Sequence, residues 1–169
     1  ILSIHLGVDG EGLKAVIFDL DGTLVTSRID WVKMKGMILS YLKGLGVGVG
    51  SLTVHHTTTE IVEEAVAAMK GQGVDEEEIV KVLGEVDRIM ATVEMEGAPE
   101  ALPREGVLET LKTLKEKGLK IGVLTRSCPA YTENVLERWG FKEYIDAVKA
   151  RIDLFKAKPR PEAFQEICE

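Results

Sequence analysis

The sequence predicts an α/β fold in which a parallel sheet, wound by helices, is split by an all-helical insertion. Three observations predict it. A short apolar run rich in β-branched residues, Leu13 to Phe18, runs straight into Asp-Leu-Asp-Gly. Residues 25–102 then carry their apolar positions at helical spacing, with no convincing strand between. From Val107 onward, helical and strand-like patterns alternate, as a parallel sheet with helical crossovers requires.

In chain order, the opening residues Leu2, Ile4, Leu6 and Val8 alternate with Ser3 and His5, the period of a half-buried strand. Leu13 to Phe18 reads as a buried strand. Three helical stripes follow. Ile29, Val32, Met37, Ile38, Tyr41, Leu42 and Leu45 make the first; Ile61, Val62, Ala65, Val66 and Met69 the second; Ile79, Val80, Leu83, Val86, Ile89, Met90 and Val93 the third. Thr57 with Glu60, and Asp75 with Glu78, have the spacing of a capping residue and a carboxylate three positions on. Gly44 to Gly50 and Gly71 to Gly73 are breakers between helices. Past Pro99 to Gly106, a helix from Val107 ends at Gly118, a strand covers Leu119 to Thr125, and a helix runs from about Pro129 to Trp139 with Tyr131, Val135, Leu136 and Trp139 inward. A weaker strand is expected near Tyr144 to Val148, and a helix near Pro161. The domains are therefore 1–24 with 103–169 as the α/β core, and 25–102 as the insertion.

The chain has 169 residues, 45% hydrophobic and 29% charged, the balance of a globular protein and not of a disordered one. A net charge of -7 repels polyanions, so neither nucleic acid nor an anionic membrane surface is an expected partner. Cys128 and Cys168 have no zinc-like or redox-like spacing and are expected as free thiols in a reducing cytoplasm. The apolar start, Ile1 to Val8, is too short to span a bilayer and has no basic segment before it. Its lack of an initiator Met suggests a processed or excised chain.

The chemistry concentrates at Asp19-Leu20-Asp21-Gly22-Thr23-Leu24. Ligands bind at the carboxyl ends of strands in a wound sheet, so two carboxylates there are placed for catalysis. An isolated Asp-x-Asp-Gly is more often a plain turn. His5, His55 and His56 match no ligand set, Asp75 to Glu78 reads as a helix start, and Trp31 and Trp139 read as packing residues.

Asp-x-Asp-Gly-Thr after a strand resembles the first motif of the haloacid dehalogenase superfamily, and Val-Leu-Thr-Arg-Ser and Lys-Pro-x-Pro downstream resemble its second and third. Three matches in order cover the chain from about Leu13 to its end. The resemblance implies a Rossmann-like parallel core with a helical cap inserted after the first motif, and Mg2+-dependent hydrolysis of a small phosphorylated metabolite, as in capped phosphatases such as phosphoglycolate phosphatase. It implies Asp19 as nucleophile and metal ligand, Asp21 as acid/base and second metal position, Thr125 as a phosphate-binding hydroxyl, and Lys158 as the charge that holds Asp19 ionised and stabilises the transition state. Arg126 would add a forked contact to phosphate. Lys156 competes with Lys158, which alone directly precedes Pro159.

The superfamily's fourth motif, an acidic pair completing the Mg2+ shell, has no counterpart before Glu169. The core is thus expected to be incomplete at its C-terminus, either as a truncated product or with impaired activity. Ile1 to Val8 is expected to cover the exposed sheet edge by antiparallel pairing with the strand from Leu13, through a hairpin at Asp9-Gly10-Glu11-Gly12. A phosphomutase would share every residue named, and a catalytically impaired binding module is the rival from another class.

Overall fold

The computed structural model describes residues 12–151 together with Leu154, Phe164 and Ile167. The expected N-terminal strand, its hairpin and most of the helix near Pro161 lie outside the described residues. The chain divides into two compact units: Ile29–Glu96 forms one, and the segments up to Arg28 and from Gly97 onward form the other.

The outer unit is built on a parallel sheet. Strand β1 (Ala15–Phe18) pairs in parallel with β4 (Lys120–Leu124), which pairs in parallel with β5 (Ala147–Lys149). The register sets Phe18 opposite Val123 and Leu124 opposite Lys149, so all three strands end on one side. Helix α4 (Val107–Glu116) precedes β4 and buries Val107 and Leu111; α5 (Pro129–Arg138) follows it and buries Tyr131, Thr132, Val135 and Leu136. Trp139, expected on that inner face, is only half-buried, its indole Nε1 donating to the Ala101 carbonyl at 3.1 Å.

Strand β4 is the buried centre, with Ile121 through Leu124 withdrawn from solvent. β1 is less buried than its sequence suggests: Ile17 alone is fully covered, while Ala15, Val16 and Phe18 are half-buried. Ile17 and Leu124 share a cluster with Phe164 and Ile167. That contact needs Gly122, where a Cβ would stand 3.1 Å from Ile167 Cδ1.

After β1 the chain turns sharply. Gly22 takes φ +78°, a conformation open to glycine at little cost, and the Leu20 carbonyl accepts from the amides of Thr23, Leu24 and Val25. A two-residue ribbon then forms, β2 (Val25–Thr26) antiparallel to β3 (Leu102–Pro103). This pairing draws both connections of the insertion into the outer unit, so the helical unit begins at 29 and ends at 96, a few residues inside the expected edges at 25 and 102.

The helical unit comprises α1 (Trp31–Gly44), α2 (Thr58–Gly71) and α3 (Glu76–Gly97), the last reaching one residue beyond it. Thr57 and Glu60 form a reciprocal capping box, and Asp75 accepts from the Glu78 amide. The α2 stripe matches expectation except for a half-buried Val66. In α1 the buried face is Met34, Ile38, Leu39 and Leu42, while Val32, Met37 and Leu45 are exposed. The buried face is rotated from the expected stripe because Met34 and Leu39 fit a helical face as well as Val32 and Met37 do. In α3, Val82 is buried and Val80 exposed, a smaller rotation of the same kind. Trp31, expected to pack, is 42% exposed.

Candidate active site

Asp19 and Asp21 leave the carboxyl end of β1, and Thr125, Arg126 and Ser127 leave the carboxyl end of the adjacent β4. Parallel pairing of the two strands brings these segments side by side although more than a hundred residues separate them in the chain. The Asp21 carboxylate is held from both sides. Ser127 Oγ donates to its Oδ2 at 2.6 Å and the Tyr131 hydroxyl donates to its Oδ1 at 2.7 Å. Ser27 provides a further hydrogen bond. The first oxygen of Asp19 accepts from the Leu20 amide at 2.9 Å.

Burial raises the Asp21 pKa above the ordinary carboxylate value, and the neighbouring Asp19 charge adds to the rise. The hydrogen bonds from Ser127, Tyr131 and Ser27 pull the other way without cancelling it. Burial thus makes Asp21 readier to carry a proton than an ordinary aspartate.

Thr125, at 2% exposure, accepts the Ser127 amide at its hydroxyl oxygen (3.1 Å), which leaves the hydroxyl proton able to donate to a ligand. Its own amide donates to the Lys149 carbonyl at 3.0 Å. Arg126 lies in the electrostatic field of both Arg151 and Asp19. Desolvation lowers its pKa, the Arg151 charge lowers it further, and Asp19 opposes both. Arg151 is buried, donating from its guanidinium to the Arg126 carbonyl at 2.5 Å and from its amide to the Ser127 carbonyl at 2.9 Å. The neighbouring guanidinium charges of Arg126 and Arg151, on the side of the sheet from which Asp19 leaves, favour an anion.

The structure thus brings together Asp19, Asp21, Thr125 and Arg126. Lys158 and its competitor Lys156 lie outside the described residues. Sequence reasoning missed Ser127 and Arg151 altogether and read Tyr131 as packing. The tyrosine carried a signal all the same, because a buried phenol needs a hydrogen-bond partner. Among the described residues no cluster of three or more His, Cys, Asp or Glu side chains could hold a metal ion. The donor chemistry of Asp19 and Asp21, oxygen only, suits a hard cation such as Mg2+.

The model of the haloacid dehalogenase-like hydrolases matches residues 13–169. The chain belongs to the haloacid dehalogenase-like hydrolase family. Among curated members similar to it are the validoxylamine A 7'-phosphate phosphatase of Streptomyces hygroscopicus subsp. limoneus, 28% identical over 92% of this chain and 70% of that protein. The N-acetylmuramic acid 6-phosphate phosphatase of Pseudomonas aeruginosa is 27% identical over 92% of this chain and 67% of its own length. A crystal structure of a predicted phosphoglycolate phosphatase from Haemophilus somnus superposes with a TM-score of 0.54 at 25% identity, covering 92% of this chain and 70% of that one. The haloacid dehalogenase-like hydrolases are a family of enzymes. No helix among the described residues is long and apolar enough to cross a membrane.

Proposed function

We propose that this chain is a phosphatase: a Mg2+-dependent phosphomonoester hydrolase that works through an aspartyl-phosphate on Asp19. One observation carries the reading. Two carboxylates leave the tip of one strand, and the second is clamped by hydroxyls and biased towards its protonated form.

In the first step an Asp19 oxygen forms a bond to phosphorus as the bond from phosphorus to the ester oxygen breaks. Asp21 gives its proton to the departing alkoxide. In the second step Asp21 takes a proton from water, whose oxygen bonds to phosphorus as the Asp19 bond breaks, releasing phosphate. Thr125 donates to a phosphoryl oxygen, and Arg126 meets the phosphate charge that would relieve its repulsion with Arg151. Lys158 would hold Asp19 ionised, a role that rests on the sequence motif alone. Asp19 and the Asp21 position would hold Mg2+, which would supply the charge neutralisation that lets one anion approach another.

The substrate class is a small phosphorylated metabolite. Supporting it are relatives named for phosphate esters of small molecules, among them a phosphoglycolate phosphatase of Shigella dysenteriae at 29% identity over 94% of this chain.

The test compares hydrolysis of p-nitrophenyl phosphate by the chain and by Asp19→Asn, each with and without Mg2+. The proposal expects Mg2+-dependent turnover that Asp19→Asn loses entirely. Equal rates from the two proteins would contradict it.

A further inference from the structure

We propose that Ser127 and Tyr131 are positioning residues that aim the Asp21 carboxyl group at the leaving-group oxygen of the substrate. The inference rests on the phosphatase reading and adds two residues to its machinery.

An aspartate side chain has two rotatable bonds, and one hydrogen bond to one oxygen leaves the second torsion loose. Here each oxygen has its own donor, Ser127 Oγ on Oδ2 and Tyr131 Oη on Oδ1, so the plane of the carboxyl group is fixed as well as its location. Both donors are themselves held. Ser127 is 2% exposed, its amide bonded to Thr125 Oγ1 and its carbonyl to the Arg151 amide. Tyr131 is fully buried in the first turns of α5. An acid that must reach one oxygen of a bound ester gains from such rigidity, because proton transfer needs heavy atoms within hydrogen-bond reach.

The donors are hydroxyls, not cations. A hydroxyl can turn from donor to acceptor, so both clamps stay satisfied after the carboxylate gains a proton and after it loses one. A lysine or arginine in either place would bind the ionised form alone. The same two bonds could instead serve only to tie α5 to the loop after β1, and the leaving group distinguishes the two roles. A p-nitrophenolate departs without help from an acid, whereas an alkoxide does not.

The experiment measures the pre-steady-state rate of alcohol release, the step that precedes the action of Asp21 on water, for Tyr131→Phe, Ser127→Ala and Ser127→Thr on p-nitrophenyl phosphate and on glycerol 2-phosphate. For Tyr131→Phe and Ser127→Ala, that rate on the alkyl ester should fall roughly 10- to 100-fold while that on the aryl ester stays within about 3-fold. The substrate concentration at half-maximal rate should hold within about 3-fold for both, as expected when an interaction acts only in the transition state. Ser127→Thr, which keeps the hydroxyl, should recover most of the loss. In an Asp21→Asn background neither substitution should cost more. Equal losses on the two esters, or an undiminished loss in the Asp21→Asn background, would overturn the inference. If Tyr131→Phe does not fold by circular dichroism, the Ser127 pair decides alone. Absence of Asp19-dependent hydrolysis in the unsubstituted chain sinks the phosphatase reading and the inference with it; Asp19-dependent hydrolysis without the leaving-group split sinks only the inference.

Discussion

The two ends of the parallel sheet each hold an aspartate with a displaced pKa, and the displacements are opposite. At the carboxyl end, burial lifts Asp21 above the ordinary range despite its hydroxyl partners. At the amino end, Asp146 is lowered to about 2, first by Lys115, then by the backbone amide of Ile121, with Lys120 assisting. Lys115 Nζ reaches its two oxygens at 2.9 and 2.8 Å, and the Ile121 amide donates at 2.8 Å. The difference lies in the partners. Cations and a strand amide keep Asp146 an anion at neutral pH, extending the sheet's hydrogen bonding by one rung, whereas buried hydroxyls leave Asp21 able to gain and lose a proton. One end uses its carboxylate to hold the sheet together, and the other has the carboxylate to which the proposed function assigns proton transfer.

The largest expected effect comes from removing the exchangeable proton. Asp21→Asn should lower kcat on an alkyl phosphate by roughly 100- to 10,000-fold, the range of a general acid and base, in steady-state assays. Its stability should move the other way. Because the folded-state value of Asp21 is raised, its contribution is present below the ordinary carboxylate value and lost as pH rises through the raised one. At neutral pH Asp21→Asn should therefore be at least as stable as the parent in urea titration, and the parent alone should gain on acidification through that window. A neutral-pH loss from Asp21→Asn would mean that the carboxylate is structural, and the contrast between the two ends would fail.

Next in size is Gly122→Val at the middle of β4. The added side chain must displace Ile167, and we expect a cost of about 1–3 kcal/mol in urea unfolding, typical of overpacking. Asp146→Ala follows, at about 1–2 kcal/mol, because the part-buried Ile121 amide loses its acceptor. Its activity at neutral pH should be unchanged. The sign of its pH dependence is opposite to that of Asp21: the stabilisation is present above the ordinary carboxylate value and lost as pH falls towards about 2, so the parent and Asp146→Ala should converge in stability at that acid limit. Smallest is Thr57→Ala in the helical unit, about 1 kcal/mol from loss of the capping box, with no effect on either aspartate.

The sheet and the placement of Asp19 and Asp21 at the tip of β1 were legible in the sequence, because a β-branched run followed by Asp-x-Asp-Gly is a local signal. The partners of Asp21 were not. Ser127 and Tyr131 reach it only through the parallel pairing of β1 with β4, and pairing across a hundred residues has no imprint on local periodicity. Arg151 was hidden for the same reason, its guanidinium being spent on the carbonyl of Arg126. The α1 stripe was misjudged because that helix is apolar on more than one side, so spacing alone did not choose between faces.

In the proposed reaction Asp19 itself carries the phosphoryl group. Quenching the reaction during turnover and reducing with borohydride should convert the acyl phosphate to an alcohol, and peptide mass spectrometry should find residue 19 as homoserine. Modification at any other residue, or none while phosphate is still released, would contradict the account.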